Sequence, residues 1–253
     1  MTIETILSPA ELPALARRDL RGAACVVFDI LRATSTLVTA LQNGAREVIP
    51  VGEISEALAR CRQQPGVLLA GERDGLRIRA AQSGERDFDL GNSPREFSPD
   101  KVRGKSIVTT TTNGTRALRA CTGAKLVLAA SFLNLAATAR FLNQMPAEEL
   151  LLVCAGTGEG VALEDVLAAG ALAGLVGGTY TDATEIAART FQSARADLPA
   201  MVAATKNARR LLAIPELRAD VPFCAQRDIF KLVALMSADG AVRIAGHSGS
   251  LAA

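Results

Sequence analysis

The stretch CVVFDILRATSTLVTALQNGAREVIPVGEISEALAR, residues 25–60, contains the pattern that decides the fold. Its first four residues are apolar and predict a buried strand, because β-branched and aromatic side chains favour strands. A polar loop follows, and then a helical segment that ends before Gly44, where a glycine commonly terminates a helix. A second apolar run at Val48 and Ile49 and a second helical segment complete a strand–helix–strand–helix unit.

The same order recurs in KSIVTTTTNGTRALRACTGAKLVLAASFLNLAATAR, residues 105–140. Gly123 matches Gly44, and from these glycines onward the two stretches align without a gap. A third stretch, LLLVCAGTGEGVALEDVLAAGALAGLVGG at 150–178, again combines an apolar strand, a glycine-rich loop and a helix. The likeness of the first two stretches indicates either an internal duplication or the general similarity of strand–helix units, and the sequence favours neither.

Short apolar strands that alternate with helices predict an α/β protein whose sheet is covered on both faces. We therefore expect a three-layer α/β/α fold with a largely parallel or mixed sheet, in which the two repeated stretches form related βαβ halves. We expect one domain over residues 1–253, with two α/β subdomains, at about 1–104 and 105–253, as an alternative division. Residues 71–104 separate the repeats and are polar and turn-rich, and such a long insertion is typically functional.

The composition excludes several classes of function. The net charge of +2 over 253 residues is too small to favour nucleic acid or an anionic membrane surface as a partner. No run of 18 apolar residues predicts a membrane span. Five cysteines without a C-x-x-C pair indicate free thiols in a reducing compartment, so we expect a cytoplasmic protein. The single histidine, His247, argues against a His/Cys zinc site and against a Ser-His-Asp triad.

Three familiar motifs of phosphate chemistry are each one residue short. A G-x-G-x-x-G fingerprint that begins at Gly156 would need glycine where Val161 stands. A C-x5-R phosphatase loop that begins at Cys154 would need arginine where Gly160 stands. The D-x-D pair of aspartyl-phosphate phosphatases lacks its second aspartate after Asp29. The chemistry of this chain must therefore be inferred from its own polar residues.

Polar side chains concentrate where the predicted strands end. Ligands of open α/β sheets bind at the carboxyl ends of strands, so parallel neighbouring strands would bring these loops to one crevice. Guanidinium groups and the backbone N–H groups at helix starts suit a phosphate or a sulfonate. The residues predicted to act in catalysis are Asp29, Arg32, Asn113 and Arg116, and those predicted to bind substrate are Thr34, Arg73, Asn92, Ser93, Thr112, Gly114, Thr115, Cys154, Gly156 and Thr157.

The same loops carry carboxylates, the hard oxygen ligands that Mg²⁺ prefers. A magnesium ion together with arginines is typical of phosphoryl transfer, in which positioning and charge stabilisation supply most of the catalysis. Each feature has a plainer interpretation, because carboxylates also favour helix N-termini and form surface ion pairs of little consequence. Lys206, Arg209 and Arg210 are interpreted as a solvated helix face. The predicted metal ligands are Asp29, Glu72, Asp89, Glu164 and Asp165.

Several motifs resemble, in order, those of the 2-phosphosulfolactate phosphatase family, the ComB-like proteins. They are VVFDILRATSTLVTALQNGA, GERDG, FDLGNSPREF, TTTTNGTRAL and CAGTGEGVALEDVLAAGAL, and they span residues 25 to 178. A weaker similarity follows at Asp220, Cys224 and Asp228, and the last third of the chain departs more from the family pattern. The residue sequences of these motifs are uncommon among α/β proteins, so the resemblance is specific.

The resemblance implies an α/β/α fold of the family's own type, a homodimer and Mg²⁺ as cofactor. It also implies hydrolysis of 2-phospho-3-sulfolactate to sulfolactate and phosphate, a step toward coenzyme M. The alternative from a different class is a non-catalytic regulatory protein that binds a phosphate ester in the same crevice. The number of acidic candidates favours the enzyme, because a simple anion receptor would avoid like charge around its ligand.

Overall fold

A computed structural model describes residues 1–145 and 147–246 of the chain. It confirms the predicted α/β class, with helices on both faces of one mixed sheet of eleven strands. His247 lies outside the described residues. All five cysteines are free thiols, as predicted. In the described part of the chain, no helix combines the length and the apolar character that crossing a bilayer would require.

The strands alternate with helices along most of the chain. Those of the repeated stretches, near residues 25, 48, 107 and 128, were each predicted from an apolar run. The strands are β1 (Thr2–Ile6), β2 (Ala23–Phe28), β3 (Glu47–Pro50), β4 (Leu68–Arg73), β5 (Leu76–Arg77), β6 (Ser106–Thr110), β7 (Leu126–Ala130), β8 (Glu149–Cys154), β9 (Thr179–Tyr180), β10 (Ala234–Met236) and β11 (Val242–Ile244).

The helices follow the strands of each repeated unit and then dominate residues 163–224. The α-helices are α1 (Leu12–Leu15), α2 (Ala33–Gln42), α3 (Ile54–Gln63), α4 (Ala80–Ser83), α5 (Pro99–Val102), α6 (Gly114–Ala120), α7 (Leu135–Gln144), α8 (Leu163–Ala173), α9 (Asp182–Ala194), α10 (Leu198–Ala203), α11 (Lys206–Leu212) and α12 (Asp220–Cys224). Short 3-10 helices occupy Pro9–Glu11, Pro94–Glu96, Phe132–Asn134 and Arg195–Asp197.

The strand order is β5-β4-β6-β3-β11-β10-β7-β2-β8-β1-β9. It contains two parallel groups, β4-β6-β3 and β7-β2-β8-β1-β9, which the antiparallel hairpin β10-β11 joins. The two repeats exchange partners, because β2 of the first pairs with β7 of the second while β6 of the second pairs with β3 of the first. The subdomain division at residue 104 stays a prediction, although the strands of both repeats lie in this one sheet.

Side chains of the central strands are buried on both faces of the sheet. In β2, Val26 packs into one apolar cluster with the helices α8 and α9, and the next residue, Val27, packs into a second cluster with α2 and α6. A third cluster covers the other face of β3, β4 and β6 with α3. Burial on both faces explains the continuous apolar runs in the sequence, which are typical of strands inside α/β proteins.

Helices α2 and α6 connect the two parallel groups on one face of the sheet. Helix α2 contacts both β3 and β7, and α6 contacts both β2 and β3. The first residues of these equivalent helices meet, since a Cβ atom on Gly114 would lie 2.6 Å from the Cβ of Ala33. The structure differs here from the expectation of parallel neighbours: β2 and β6 lie in different groups, and their following loops converge because the two helix starts touch.

Candidate active site

A cleft of about 310 Å³ lies where these loops converge. The loops after β2, β6 and β8 form its floor, the β4–β5 turn forms one wall, and helix α11 forms the opposite wall. Its size is that of a small-molecule site. The lining residues are Asp29, Leu31, Arg32, Glu72, Asp74, Gly75, Asn92, Thr112, Asn113, Gly156, Thr157, Gly158, Asn207, Arg210 and Leu211.

Asp29 follows β2 directly and is held by the first turn of α2. The Oδ1 atom of its carboxylate accepts a hydrogen bond of 2.9 Å from the backbone N–H of Ala33. The Thr34 hydroxyl accepts from the backbone N–H of Asp29 and donates to its carbonyl oxygen, both at 3.0 Å. Thr34 itself does not line the cleft, so it supports Asp29 rather than contacting a substrate.

The second oxygen of Asp29 lies against Gly114, the first residue of α6. A Cβ atom at position 114 would lie 2.7 Å from Oδ2 of Asp29, a distance that real Cβ atoms do not adopt. Glycine is therefore required at position 114 by this close approach, because any side chain there would displace the Asp29 carboxylate.

The Asp29 carboxyl group is strongly perturbed. Burial raises its pKa to about 7, and the negative charges of Glu72 and Glu164 contribute in the same direction. The hydrogen bond from Ala33 and the charge of Arg32 lower the pKa but do not offset these effects. Crowding of like charge around one carboxylate is a typical feature of catalytic and cation-binding sites.

Glu164 lies in the first turn of α8, beneath the residues that line the cleft rather than among them. Its side chain is buried, and its Oε1 atom accepts a 2.6 Å hydrogen bond from the amide of Asn207. The same amide nitrogen donates to the Thr157 hydroxyl at 2.6 Å. Asn207 thus joins α11 to the loop after β8 and fixes the carboxylate of Glu164.

Asp165, the next residue of α8, connects two of the floor loops. Its two carboxylate oxygens accept hydrogen bonds from the backbone N–H groups of Ile30, at 2.8 Å, and Gly156, at 3.0 Å. Burial and the nearby charges of Asp29 and Glu164 raise its pKa well above the usual range. Both oxygens have backbone partners, so the geometry assigns Asp165 to holding the loops after β2 and β8 together.

Glu72 performs a similar connection on the other side of the cleft. Its Oε1 atom accepts from the backbone N–H and the hydroxyl of Thr112, at 2.8 and 3.0 Å, and its Oε2 atom accepts from the N–H of Gly75 at 2.7 Å. The carboxylate therefore joins the β4–β5 turn to the loop after β6. Its negative charge still acts on Asp29.

A divalent cation would have two carboxylates available here. Within residues 1–145 and 147–246, no group of three or more His, Cys, Asp or Glu side chains is arranged to hold a metal. Among the described residues, Asp29 and Glu164 each accept a hydrogen bond through one carboxylate oxygen, from Ala33 and Asn207 respectively. Mg²⁺ is commonly bound by one or two carboxylates together with water and substrate phosphate, so Asp29 in the cleft and the buried Glu164, whose charge acts on Asp29, suit Mg²⁺ by their chemistry. The five predicted ligands are not gathered around one ion.

Of the five predicted ligands, Asp29 and Glu72 line the cleft and Glu164 and Asp165 lie beneath it, whereas Asp89 belongs to the insertion. Its carboxylate accepts hydrogen bonds from the backbone N–H of Leu69, near the start of β4, and from the guanidinium of Arg86. The cleft that contains Asp29 lies at the opposite end of β4, where Glu72 is. The position of Asp89 indicates a structural role in the insertion.

Asn113 binds protein groups through its side chain. Its Nδ2 atom donates to the carbonyl oxygens of Ala155, at 2.8 Å, and Gly158, at 3.1 Å. Neither Asn113 nor Gly114 donates a backbone N–H hydrogen bond to any described residue. These two N–H groups, next to Asp29, are the groups of the loop that remain able to bind an oxyanion.

Arg32 lines the cleft but has a buried partner. Its guanidinium donates to Asp220 at 2.8 Å and to the carbonyl oxygen of Gly75 at 2.6 Å, and both charged side chains are almost inaccessible to solvent. The other oxygen of Asp220 accepts from the hydroxyl of Ser93 at 2.7 Å. Arg32 and Ser93 therefore hold the β4–β5 turn, the insertion and α12 around the cleft, whereas Asn92 remains a lining residue.

Two predicted arginines face a neighbouring cleft. Arg73 donates to the backbone carbonyl of Glu72 and to the Thr110 hydroxyl, and Arg116 pairs with the exposed Glu159 at 3.4 Å. Both line a second depression on the far side of Thr112. Neither reaches the cleft that contains Asp29, so the prediction that Arg116 contacts the reacting phosphate has no support in its position.

Two further predicted contacts lie inside the protein. Cys154 ends β8 with no solvent exposure, and burial raises its pKa well above the usual range. It packs in the apolar cluster under the sheet and cannot touch a ligand in the cleft. Thr115 exchanges hydrogen bonds with Thr111 and supports the first turn of α6. By contrast, Gly156 and Thr157 line the cleft as predicted.

The structure adds residues from the last third of the chain. Asn207 and Arg210 lie on one face of α11 and line the cleft, which corrects the interpretation of Arg210 as part of a solvated surface. Asp220 was noted in the sequence only as a weak similarity. The local sequence around Asn207 and Arg210 gives no signal that they line a cleft, because their position there depends on where α11 packs.

Comparison with known proteins gives a consistent result. The sequence model for 2-phosphosulpholactate phosphatase matches residues 9–239, which include every residue that lines the cleft. A probable 2-phosphosulfolactate phosphatase of Thermotoga petrophila is 43% identical over 209 residues, covering 82% of this chain and 86% of the relative. A protein of the same name from Clostridium acetobutylicum is 33% identical over 239 residues, covering 92% and 96%. Another from Synechococcus sp. is 35% identical over 245 residues, covering 94% and 95%.

Proposed function

The chain belongs to the 2-phosphosulpholactate phosphatase family, as its motifs predicted, and we propose that it hydrolyses 2-phospho-3-sulfolactate or a related small phosphorylated acid. The reaction consumes water and releases the hydroxy acid and inorganic phosphate. The non-catalytic regulatory alternative is not favoured, because the cleft crowds negative charge around Asp29, which a simple receptor for an anion would avoid.

The position of Asp29 is the observation that carries this proposal. Its carboxylate lies in the cleft where the starts of α2 and α6 meet, and its pKa is raised to about 7. A bound divalent cation relieves such crowding by supplying the opposite charge. We propose that Asp29 and Glu164 hold Mg²⁺, which when bound polarises a phosphate oxygen and lowers the pKa of a coordinated water.

The remaining groups of the cleft position the substrate. The free backbone N–H groups of Asn113 and Gly114 are placed to bind oxygens of the phosphoryl group, where they would stabilise the charge that develops in the transition state. The side chains of Asp165 and Asn113 hold the three floor loops together: Asp165 accepts from the backbone N–H groups of Ile30 and Gly156, and Asn113 donates to the carbonyl oxygen of Ala155. Water would then attack phosphorus as the ester P–O bond breaks. The attacking water gives up one proton and the departing alkoxide oxygen takes one up, so the step is balanced.

Phosphate release from 2-phospho-3-sulfolactate tests this proposal. We expect turnover that EDTA abolishes and that added Mg²⁺ restores. Glu164→Gln should lower turnover by at least about a hundredfold, since a cation ligand is lost. Asp89→Asn is the matched control, because this carboxylate lies outside the cleft, and it should retain turnover. Mg²⁺-independent activity, or equal losses in the two variants, would remove the cation site from the proposal.

Three finer features remain predictions: two follow from the family resemblance, and the cellular location follows from the cysteine content. They are the homodimer, the cytoplasmic location and the contribution to coenzyme M synthesis. Each can be measured independently of the cleft, by light scattering, by cell fractionation and by metabolite analysis of a strain that lacks the protein.

A further inference from the structure

Arg210 is a cleft residue that the proposed chemistry leaves without a role. It lies on α11, and its guanidinium donates to the carbonyl oxygen of Asp74 in the β4–β5 turn, on the opposite wall. The Arg210 side chain is about half exposed, at 51%. It therefore reaches over the cleft from the C-terminal part of the chain, while the phosphate-binding groups lie on the floor.

The charge of Arg210 is not neutralised as that of Arg32 is. Arg32 is paired at 2.8 Å with the fully buried Asp220. The nearest carboxylate to Arg210 is that of Asp74, at 3.9 Å, and its side chain is 93% exposed. A contact of this length to a solvated carboxylate contributes little free energy, so the positive charge of Arg210 remains available to a ligand.

A substrate with a second acidic group needs such a charge. The carboxylates of Asp29, Glu72 and Asp74 also line the cleft, and a small molecule that carries a sulfonate or carboxylate beside its phosphate would be repelled by them. Guanidinium groups bind such planar or trigonal oxyanions through two parallel hydrogen bonds. Of the two arginines that line the cleft, Arg210 alone has no buried carboxylate as a partner.

We propose that Arg210 is the specificity-determining residue that binds the second, non-reacting oxyanion of the substrate. The inference rests on the proposed phosphatase function and adds to it the residue that recognises the second acidic group of the substrate. Sulfonate and carboxylate share the required chemistry. Arg210 takes no part in bond breaking, so its contribution belongs to recognition rather than to the chemical step.

The test compares three substrates in steady-state kinetics. They are 2-phospho-3-sulfolactate, 2-phospholactate, which lacks the sulfonate, and isopropyl phosphate, which lacks both acids. Arg210→Ala should lower kcat/KM for the sulfonated substrate by about ten- to a hundredfold, mainly through a higher KM, as expected for a lost hydrogen bond to a charged group. Arg210→Lys should show a smaller loss of kcat/KM, because lysine keeps the positive charge but lacks the two parallel N–H donors of the guanidinium.

The ratio of kcat/KM values between acidic and simple esters is the decisive readout. We expect Arg210→Ala to reduce this ratio. A loss confined to 2-phospho-3-sulfolactate would identify the sulfonate as the bound group, and a loss shared with 2-phospholactate would identify the carboxylate. Arg209→Ala is the matched control, since Arg209 is exposed on the same helix, donates to the carbonyl oxygen of Ala204 and does not line the cleft. That variant should preserve both the ratio and the turnover.

Three other outcomes separate the ways in which the inference or the proposed function can fail. An equal loss of kcat/KM for all three substrates in Arg210→Ala would overturn the inference and assign Arg210 to holding the β4–β5 turn. A wild-type protein that releases phosphate from simple esters but shows no preference for acidic ones would also overturn it, while the phosphatase chemistry would stand. Absence of phosphate release from every ester would instead contradict the proposed function itself.

Discussion

Replacing Asp29 with asparagine is expected to abolish turnover and, without divalent cations, to stabilise the fold above neutral pH. The pKa of Asp29 is raised to about 7 in the folded protein, whereas an unfolded aspartate has a pKa of about 3.9. Between these values the folded state binds more protons than the unfolded state. Wild-type stability therefore falls as pH rises from about 4 through about 7 and is constant above that window.

The size of this effect follows from the pKa difference. Three pKa units at about 1.4 kcal/mol each set an upper limit of about 4 kcal/mol. Asp29 shares its charge interactions with Glu72 and Glu164 and lies in an open cleft, so solvent reduces the effect and we expect roughly 1–3 kcal/mol. Asparagine retains an oxygen that can accept from Ala33 and removes the charge.

The assay is urea unfolding in EDTA at pH 5 and pH 8, for wild type and Asp29→Asn. The variant should be more stable at pH 8, with a smaller gain at pH 5. Asp87→Asn is a control of opposite sign, because hydrogen bonds from Ala80 and Arg79 lower the pKa of this exposed carboxyl. A variant at position 29 that is destabilised at pH 8, or whose gain does not change with pH, would refute the reasoning.

Three further substitutions test other parts of the site. Gly114→Ala should lower kcat by at least about tenfold, because its Cβ would displace the Asp29 carboxylate, and kinetics with a thermal melt can check that the fold persists. Asp220→Ala should destabilise the protein by about 3–5 kcal/mol in chemical unfolding, since it leaves the buried charge of Arg32 unpaired. Arg116→Ala should change kcat/KM by less than about threefold, because its exposed ion pair contributes little and lies outside the cleft.

The alternation of strands and helices was predictable because it depends on local patterns. The apolar run before Asp29 and the run before Thr111 are buried on both faces of the sheet. Strands buried in this way consist of consecutive hydrophobic residues, which can be recognised in the sequence. Gly44 and Gly123 both adopt positive φ angles just after their helices, as the matched repeat predicted. These features need no knowledge of distant contacts.

The order of the strands could not be predicted in the same way. The hairpin of β10 and β11 separates the two parallel groups, yet each strand has three residues and no strong periodic pattern. Its position depends on pairing with β3 and β7, which lie more than a hundred residues away in sequence. Sequence patterns specify which segments form strands far better than they specify which strands pair.

The candidate site shows the same division. Asp29, Asn113 and Thr157 follow strands, where the general rule for α/β sheets places ligand-binding residues, and all three line the cleft. The same rule selected Cys154 and Arg116, because it gives the end of the strand but not the direction of each side chain. Asn207 and Arg210 were missed because they follow no strand and reach the cleft only through the packing of α11.

A crystal structure of the protein grown with Mg²⁺, phosphate and sulfolactate tests the account most directly. We predict Mg²⁺ in contact with the carboxylate of Asp29 and the phosphate on the backbone N–H groups of Asn113 and Gly114. Phosphate bound instead in the depression beside Arg73 and Arg116, with no cation at Asp29, would contradict the account.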